Sequence, residues 1–208
     1  MFLCRRRGPV APPFGVQPRP GGRTPHPGPT LLRVHTVELL PDPATEGVVR
    51  EVWRALAARG LPSLDSHRHG TNRPHLTLAA ADELPGDARR LEAAMGALPL
   101  PLCLAGTLRF TGRTRVLAWR VVPGPGLLDL HRAVWDVLHP RGGAGGNPLH
   151  APGRWVPHIT LGRTRSRSGD WADDVLPAPL GLPWNGMFTG ARTYDSVART
   201  TAPLRGIP

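Results

Sequence analysis

The sequence predicts an α+β fold, and three features predict it. Strand-like and helix-like segments alternate along the chain, two adjacent strands are spaced as a hairpin, and two strand-like segments far apart carry nearly the same pentapeptide. The first strand is expected over residues 31–40, where aliphatic and β-branched residues run up to Pro41-Asp42-Pro43. A helix follows over 44–59, because Val48, Val49, Val52, Trp53, Leu56 and Ala57 recur at three- and four-residue spacing and the run stops at Gly60 and Pro62. Residues 63–73 read as a polar loop and 74–80 as a second strand. A short helix is expected near 87–98, then strands at about 100–110 and 115–122 joined through Gly112, an antiparallel hairpin by spacing. Leu127, Leu130, Val134 and Leu138 mark one face of a third helix over 126–138, which Pro140 ends. The glycine-rich run 142–146 leads into a strand over 155–162. A short helix near 171–176 and a last strand within 186–198 complete the order.

Residues 1–30 differ from all of this. They are rich in Pro, Gly and Arg and lack apolar periodicity, so they are expected to form a disordered tail ahead of one folded domain over 31–208. The formal charge of +11 is concentrated in the same place: six arginines and no acid occur before residue 34, leaving 20 Arg against 15 Asp plus Glu, or +5, for the rest. Such a mild excess suits a polyanionic substrate without demonstrating one. Every basic residue is Arg, which we read as a mark of GC-rich coding. Cys4 and Cys103 are the only cysteines, so no disulfide framework is indicated and a reducing cytoplasm is expected. No apolar run approaches the length of a signal sequence or a membrane span.

The chemistry lies in the repeated pentapeptide, Pro74-His75-Leu76-Thr77-Leu78 and Pro157-His158-Ile159-Thr160-Leu161. Side chains two apart on a strand share a face, so each His points with its Thr while Leu76, Leu78, Ile159 and Leu161 enter the core. If the two strands lie side by side, two imidazoles and two hydroxyls face one substrate. That set fits phosphodiester hydrolysis without a metal. At neutral pH one imidazole accepts a proton from water and its partner donates one to the departing oxygen, while the hydroxyls of Thr77 and Thr160 hold the phosphoryl oxygens. A single H-x-T triplet is weak evidence. Two copies with the same preceding Pro, the same following Leu and the same strand context are far stronger.

On these motifs the chain resembles the two-histidine (2H) phosphoesterases, and within them the bacterial branch of 2′-5′ RNA ligases and RNA 2′,3′-cyclic phosphodiesterases. The resemblance covers about residues 33–198, with the flanks Asn72-Arg73-Pro74 and Trp155-Val156-Pro157 contributing to it. It implies a bilobal fold of two pseudo-symmetric antiparallel-sheet lobes with outer helices and a central cleft. It further implies no cofactor, His75 and His158 as catalytic residues, and Thr77 and Thr160 as phosphate-binding ones. The implied reaction opens the 2′,3′-cyclic phosphate of an RNA end or nucleotide to a 2′-phosphate, or reversibly joins RNA ends. No obligate protein partner or membrane is implied. The residues leave open which histidine is the acid.

Weaker signals surround the motifs. Arg163 is a candidate phosphate contact, although strand alternation puts it opposite His158 if the strand continues that far. Arg73 and Arg154 have a similar status, and Trp155 is a candidate stacking platform for a base, with core packing as its competing role. His67 and His69 suggest a metal only superficially, since no nearby Cys or paired carboxylate completes a ligand set. The glycine run lacks the Lys-Ser/Thr ending of a nucleotide phosphate loop. The rival to an enzyme is a non-catalytic module that holds a phosphorylated RNA end or nucleotide in the same cleft.

Overall fold

The computed structural model describes residues 34–86, 88–140, 147–166, 171 and 183–205. The chain divides after Thr30 into two units, and the described residues all belong to the second. The expected tail, the glycine run 142–146 and the helix expected after Trp171 lie outside the described residues.

Strand β1 spans His35–Pro41 and hands directly to helix α1, Pro43–Ala58. Asp42 caps this helix. Its Oδ1 accepts the Thr45 N–H at 2.9 Å and its Oδ2 accepts the Thr45 hydroxyl and the Met187 N–H. Burial would raise the Asp42 carboxyl, but these donors outweigh it and hold the group below the ordinary range. Val49, Val52, Trp53 and Leu56 form the buried face, and the chain leaves the helix end at Ala58 through Gly60, whose φ of 68° a residue with a side chain rarely adopts.

Strand β2 is Leu76–Ala81, and helix α2, Arg89–Ala94, tightens into one 3₁₀ turn, Met95–Ala97. Strands β3, Leu100–Phe110, and β4, Arg115–Val121, form the expected hairpin. Helix α3 is Pro125–Leu138, and a 3₁₀ turn at Pro148–His150 precedes strand β5, His158–Thr164. The C-terminal region departs from expectation. Where one strand was expected there are two, β6, Trp184–Asp195, and β7, Thr200–Arg205, joined by a turn in which Arg199 has φ of 55°. Pro203 hides β7 in the sequence, because proline cannot donate to a ladder. It is tolerated here because, among the described residues, β7 pairs with β6 alone and is an edge strand.

The strands form one antiparallel sheet in the order β1-β2-β5-β4-β3-β6-β7, and β1 also pairs with β6. Six strands therefore close a circuit of pairings. The link that matters is β2 to β5, where the two pentapeptide strands meet through the single pair Leu76↔Ile159. Leu76, Leu78, Ile159 and Leu161 are at most 1% exposed, whereas His75, Thr77, His158 and Thr160 are half-buried on the other side. A one-residue slip of either strand would exchange two such aliphatic side chains for a His and a Thr, costing about 3–6 kcal/mol at ~1.5–3 kcal/mol each. The core thus fixes which way the histidines point. Helix α1 packs beneath β5 and β6, and α3 beneath β2. No helix among the described residues is long and apolar enough to cross a membrane.

Gly162 shows how tightly β5 is seated. A Cβ there would strike the Pro62 carbonyl oxygen and approach Trp171 Cζ2 to 2.9 Å, and that oxygen already accepts the Trp171 indole N–H at 3.0 Å. We expect Gly162→Ala to lower stability by about 1–3 kcal/mol in urea unfolding, while Gly70→Ala, with open space at its Cβ, stays within about 0.5 kcal/mol of the parent.

Candidate functional site

The two motif strands carry the same local irregularity. In the ladder with β1, Val37 pairs with Ala79 and Glu38 with Thr77, so Leu78 is an extra residue. In the ladder with β4, Leu117 pairs with Gly162 and Ala118 with Thr160, so Leu161 is extra. Both bulges fall three residues after the histidine. A bulge interrupts the ladder, and a carbonyl next to it needs another donor. Each motif threonine finds a tryptophan. Trp155 donates its indole N–H to the Thr77 carbonyl at 3.0 Å, and Trp53, from α1, donates its own to the Thr160 carbonyl at 3.0 Å.

The histidines are tethered alike. His75 Nδ1 lies 2.7 Å from the Arg73 carbonyl oxygen and His158 Nδ1 lies 2.7 Å from the Val156 carbonyl oxygen. A carbonyl only accepts, so each Nδ1 carries the proton and each Nε2 is left for other chemistry. Carrying the Leu76↔Ile159 register one residue either way sets His75 opposite Thr160 and Thr77 opposite His158. On a regular ladder those four positions would form the corners of a square, histidines on one diagonal and threonines on the other, with diagonal neighbours on the order of 7–8 Å apart. One phosphate group spans that distance.

Cross-strand pairing shows which other residues share this side of the sheet, because directly paired residues point the same way. Arg163 pairs with Val116, Thr160 with Ala118 and His158 with Arg120. Arg163 therefore shares the face of His158, contrary to simple alternation, because the bulge at Leu161 reverses the parity of the strand beyond it. It is exposed, and its Nη2 lies 3.5 Å from His67 Nδ1. Phe110 pairs with Val116, and its ring lies 4.7 Å from that of His158. Glu38 pairs with both Thr77 and Arg192, and Thr36 with Tyr194, so all of these belong to the same side.

Arg73, Trp155 and His69 have other occupations, and Arg154 is exposed. Arg73 is no free phosphate contact. Its guanidinium pairs with Glu46 of α1 at 2.7 Å, which steadies the carbonyl that holds His75. Burial works against the Glu46 charge, but hydrogen bonds from Arg73 and Arg50 hold its carboxyl below the usual range. Trp155 packs against the core and stacks on His131, with centroids 4.0 Å apart and planes within 3°. His69 Nδ1 pairs with the Thr71 hydroxyl at 2.8 Å. Among the described residues no group of three or more His, Cys, Asp or Glu is placed to hold a metal.

Two features escaped the sequence reading. One is a buried ion pair beneath His75. Arg192 Nε donates to Glu38 Oε2 at 2.8 Å, the Thr36 hydroxyl donates to Glu38 Oε1 at 2.7 Å, and that same Oε1 is 3.7 Å from His75 Nε2. Burial pushes the Glu38 carboxyl up, yet the charges of His75 and Arg192 and the two hydrogen bonds together bring it below its ordinary value. The other is a pair of extra imidazoles behind the site. His131, at a buried position of α3, donates from Nε2 to the His150 carbonyl at 2.9 Å. Burial first, and then the charges of His158 and His131, lower the His150 imidazole to about 4. His158 is itself lowered, chiefly by burial and further by the charge of His75, with its bond to Val156 opposing. A hydrophobic helix face interrupted by one His at position 131 was the available signal for this cluster.

A model of the 2′-5′ RNA ligase superfamily matches residues 41–178. Among solved structures, LigT of E. coli complexed with NADP+ aligns with a TM-score of 0.53 at 19% identity, covering 83% of this chain and 95% of LigT. A structure described as a phosphoesterase aligns at 0.52 with 21% identity, covering 83% and 96%. LigT complexed with 3′-AMP aligns at 0.51 with 20% identity, again covering 83% and 95%. These likenesses show a shared fold. No curated protein sequence matches the chain.

The lowered His150 group has a consequence for stability. Its folded value of about 4 lies below the unfolded value of ~6.5, so the unfolded chain binds the proton first, and its share of stability, full above pH ~6.5, is lost as pH falls toward 4. Replacing His150 by Gln should flatten the fall in unfolding free energy over that window by up to about 3 kcal/mol. Urea titrations at a series of pH values measure it, and parallel curves for parent and variant would contradict it.

Proposed function

Because the chain belongs to the 2′-5′ RNA ligase superfamily, we propose that it is a metal-independent phosphodiesterase opening the 2′,3′-cyclic phosphate of an RNA end or nucleotide to a 2′-phosphate. The observation that carries this reading is the pair of Nδ1 tethers, which leave His75 and His158 with their Nε2 atoms available on one side of two adjoining strands. In the reaction, water attacks phosphorus as one imidazole removes its proton. The bond from phosphorus to the 3′ oxygen breaks as the other imidazole protonates that oxygen. The product is a 2′-phosphomonoester with a free 3′ hydroxyl, and the same ring opening with an RNA 5′ hydroxyl attacking in place of water forms a 2′-5′ linkage. The hydroxyls of Thr77 and Thr160 donate to the non-bridging oxygens, whose charge grows in the transition state. Arg163, exposed on the same face, supplies a cation for a neighbouring phosphate. Complexes of LigT with 3′-AMP and NADP+ show that protein holding phosphorylated nucleosides, ligands of the class proposed here. A cytoplasmic location suits such a substrate.

The test is direct. Purified protein should open a nucleoside 2′,3′-cyclic phosphate with chelator present. His75→Ala and His158→Ala should each lose about 10²–10⁴-fold in kcat/KM, and Thr77→Val or Thr160→Val about tenfold or more, at the net worth of a hydrogen bond to a charged group. Tight binding of cyclic phosphates with no turnover would instead identify a binding module. Turnover undiminished in either histidine variant would remove the acid and base assignment.

A further inference from the structure

The two motifs match in sequence, in tether, in bulge and in indole support, yet their electrostatic surroundings differ. Beside His75 stands Glu38, 3% exposed, and beside His158 among the described residues stand Phe110 and other imidazoles. A carboxylate buried to this degree is costly even when paired, and exchange of a buried ion pair for apolar residues is often neutral or stabilising. The Glu38–Arg192 pair is therefore poorly explained as a device for stability. Its geometry suggests another role. Arg192 Nε takes Oε2 and the Thr36 hydroxyl takes Oε1, so the carboxylate cannot turn away. At 3.7 Å its Oε1 is too far from His75 Nε2 for a hydrogen bond and near enough for charge attraction. The carboxylate therefore faces His75 Nε2 without occupying it, and Nε2 stays available to a leaving oxygen.

We propose that Glu38, fixed by Arg192 and Thr36, is a positioning residue that holds His75 as the charged, proton-donating member of the pair and leaves His158 as the neutral, proton-accepting one. The inference rests on the cyclic phosphodiesterase reading and assigns the two roles within it. The groups facing Glu38 are Thr36 on its own strand, His75 and Thr77 from β2, and Arg192 and Tyr194 from β6. Those around His158 are Arg120 from β4, Phe110 from β3, and His75 and His150. Among the described residues, only the first set contains an anion. In hydrolysis the His158 Nε2 lone pair takes a proton from the attacking water, phosphorus gains that oxygen and releases the 3′ oxygen, and His75 Nε2 gives its proton to the released oxygen. Proton exchange with solvent then restores both rings.

The experiment pairs kinetics with ring-nitrogen NMR on Glu38→Gln. For the enzyme, kcat/KM for a nucleoside 2′,3′-cyclic phosphate at pH 7 should fall about ten- to hundredfold. The high-pH limb of the profile should move to lower pH by about one unit or more, and the low-pH limb, set by His158, should stay. Glu38→Asp, which keeps the charge, should recover part of the loss. NMR reads the same point without turnover, as a smaller doubly protonated fraction of the His75 ring at a given pH with the His158 ring unchanged. If Glu38→Gln alone fails to fold, Glu38→Gln with Arg192→Gln removes both buried charges and should show the same loss. An unmoved high-pH limb, or a His75 ring whose protonation ignores the substitution, overturns the inference. A parent enzyme that binds but does not hydrolyse overturns the functional reading instead, and the NMR result still decides the role of Glu38.

Discussion

The site depends on two short hydrogen bonds from imidazole Nδ1 to the backbone carbonyl two residues earlier, at Arg73 and at Val156. A carbonyl oxygen cannot donate, so each bond decides the tautomer as well as the ring orientation. A histidine free to rotate or to exchange tautomers offers a lone pair or an N–H at random. One tethered at Nδ1 offers Nε2 in one direction. The proline that precedes each histidine, at 74 and 157, has its φ fixed and no N–H to give a ladder, which suits a turn that brings the earlier carbonyl back onto the ring. Below the rings, the aliphatic residues at alternate positions hold both strands in register against α1 and α3.

Around this symmetric pair the fold places asymmetric support. Trp53 reaches the Thr160 carbonyl from a helix, whereas Trp155 reaches the Thr77 carbonyl from the segment just before β5 and is itself stacked on His131. Each motif is thus braced by a tryptophan close in sequence to the other motif or to the opposite strand's neighbours, which ties the two halves of the site together. The charges are asymmetric as well. Glu46 and Arg73 secure the chain ahead of His75, and Glu38 and Arg192 lie beneath it, while Phe110, Arg120 and the imidazoles of His75 and His150 lie about His158, whose own burial disfavours added charge.

The local features of this arrangement were legible in the sequence, and the long-range ones were not. Period-two alternation put Leu76, Leu78, Ile159 and Leu161 in the core and the His and Thr residues on the opposite side, as the structure has them. Helix α1 and the β3–β4 hairpin also lie where spacing put them. Alternation alone puts Arg163 opposite His158, because a bulge leaves no mark in residue pattern and a single extra residue inverts every position after it. Strand β7 was missed because Pro203 argues against a strand unless the strand is known to be an edge. Glu38 and Arg192 are 154 residues apart, so nothing local in either segment announces their pairing. Trp155 was read as a platform for a base or a core residue, and its indole N–H to Thr77 depends on a neighbour 78 positions away.

The central claim is that the two Nε2 atoms address one phosphorus atom. A crystal structure of the protein with orthovanadate tests it most directly, because vanadate adopts the five-coordinate geometry of phosphoryl transfer. The account predicts one vanadate with oxygens within hydrogen-bond distance of both His75 Nε2 and His158 Nε2 and of the Thr77 and Thr160 hydroxyls. Vanadate seated away from the rings, or contacting one ring while the other turns from it, would contradict the account.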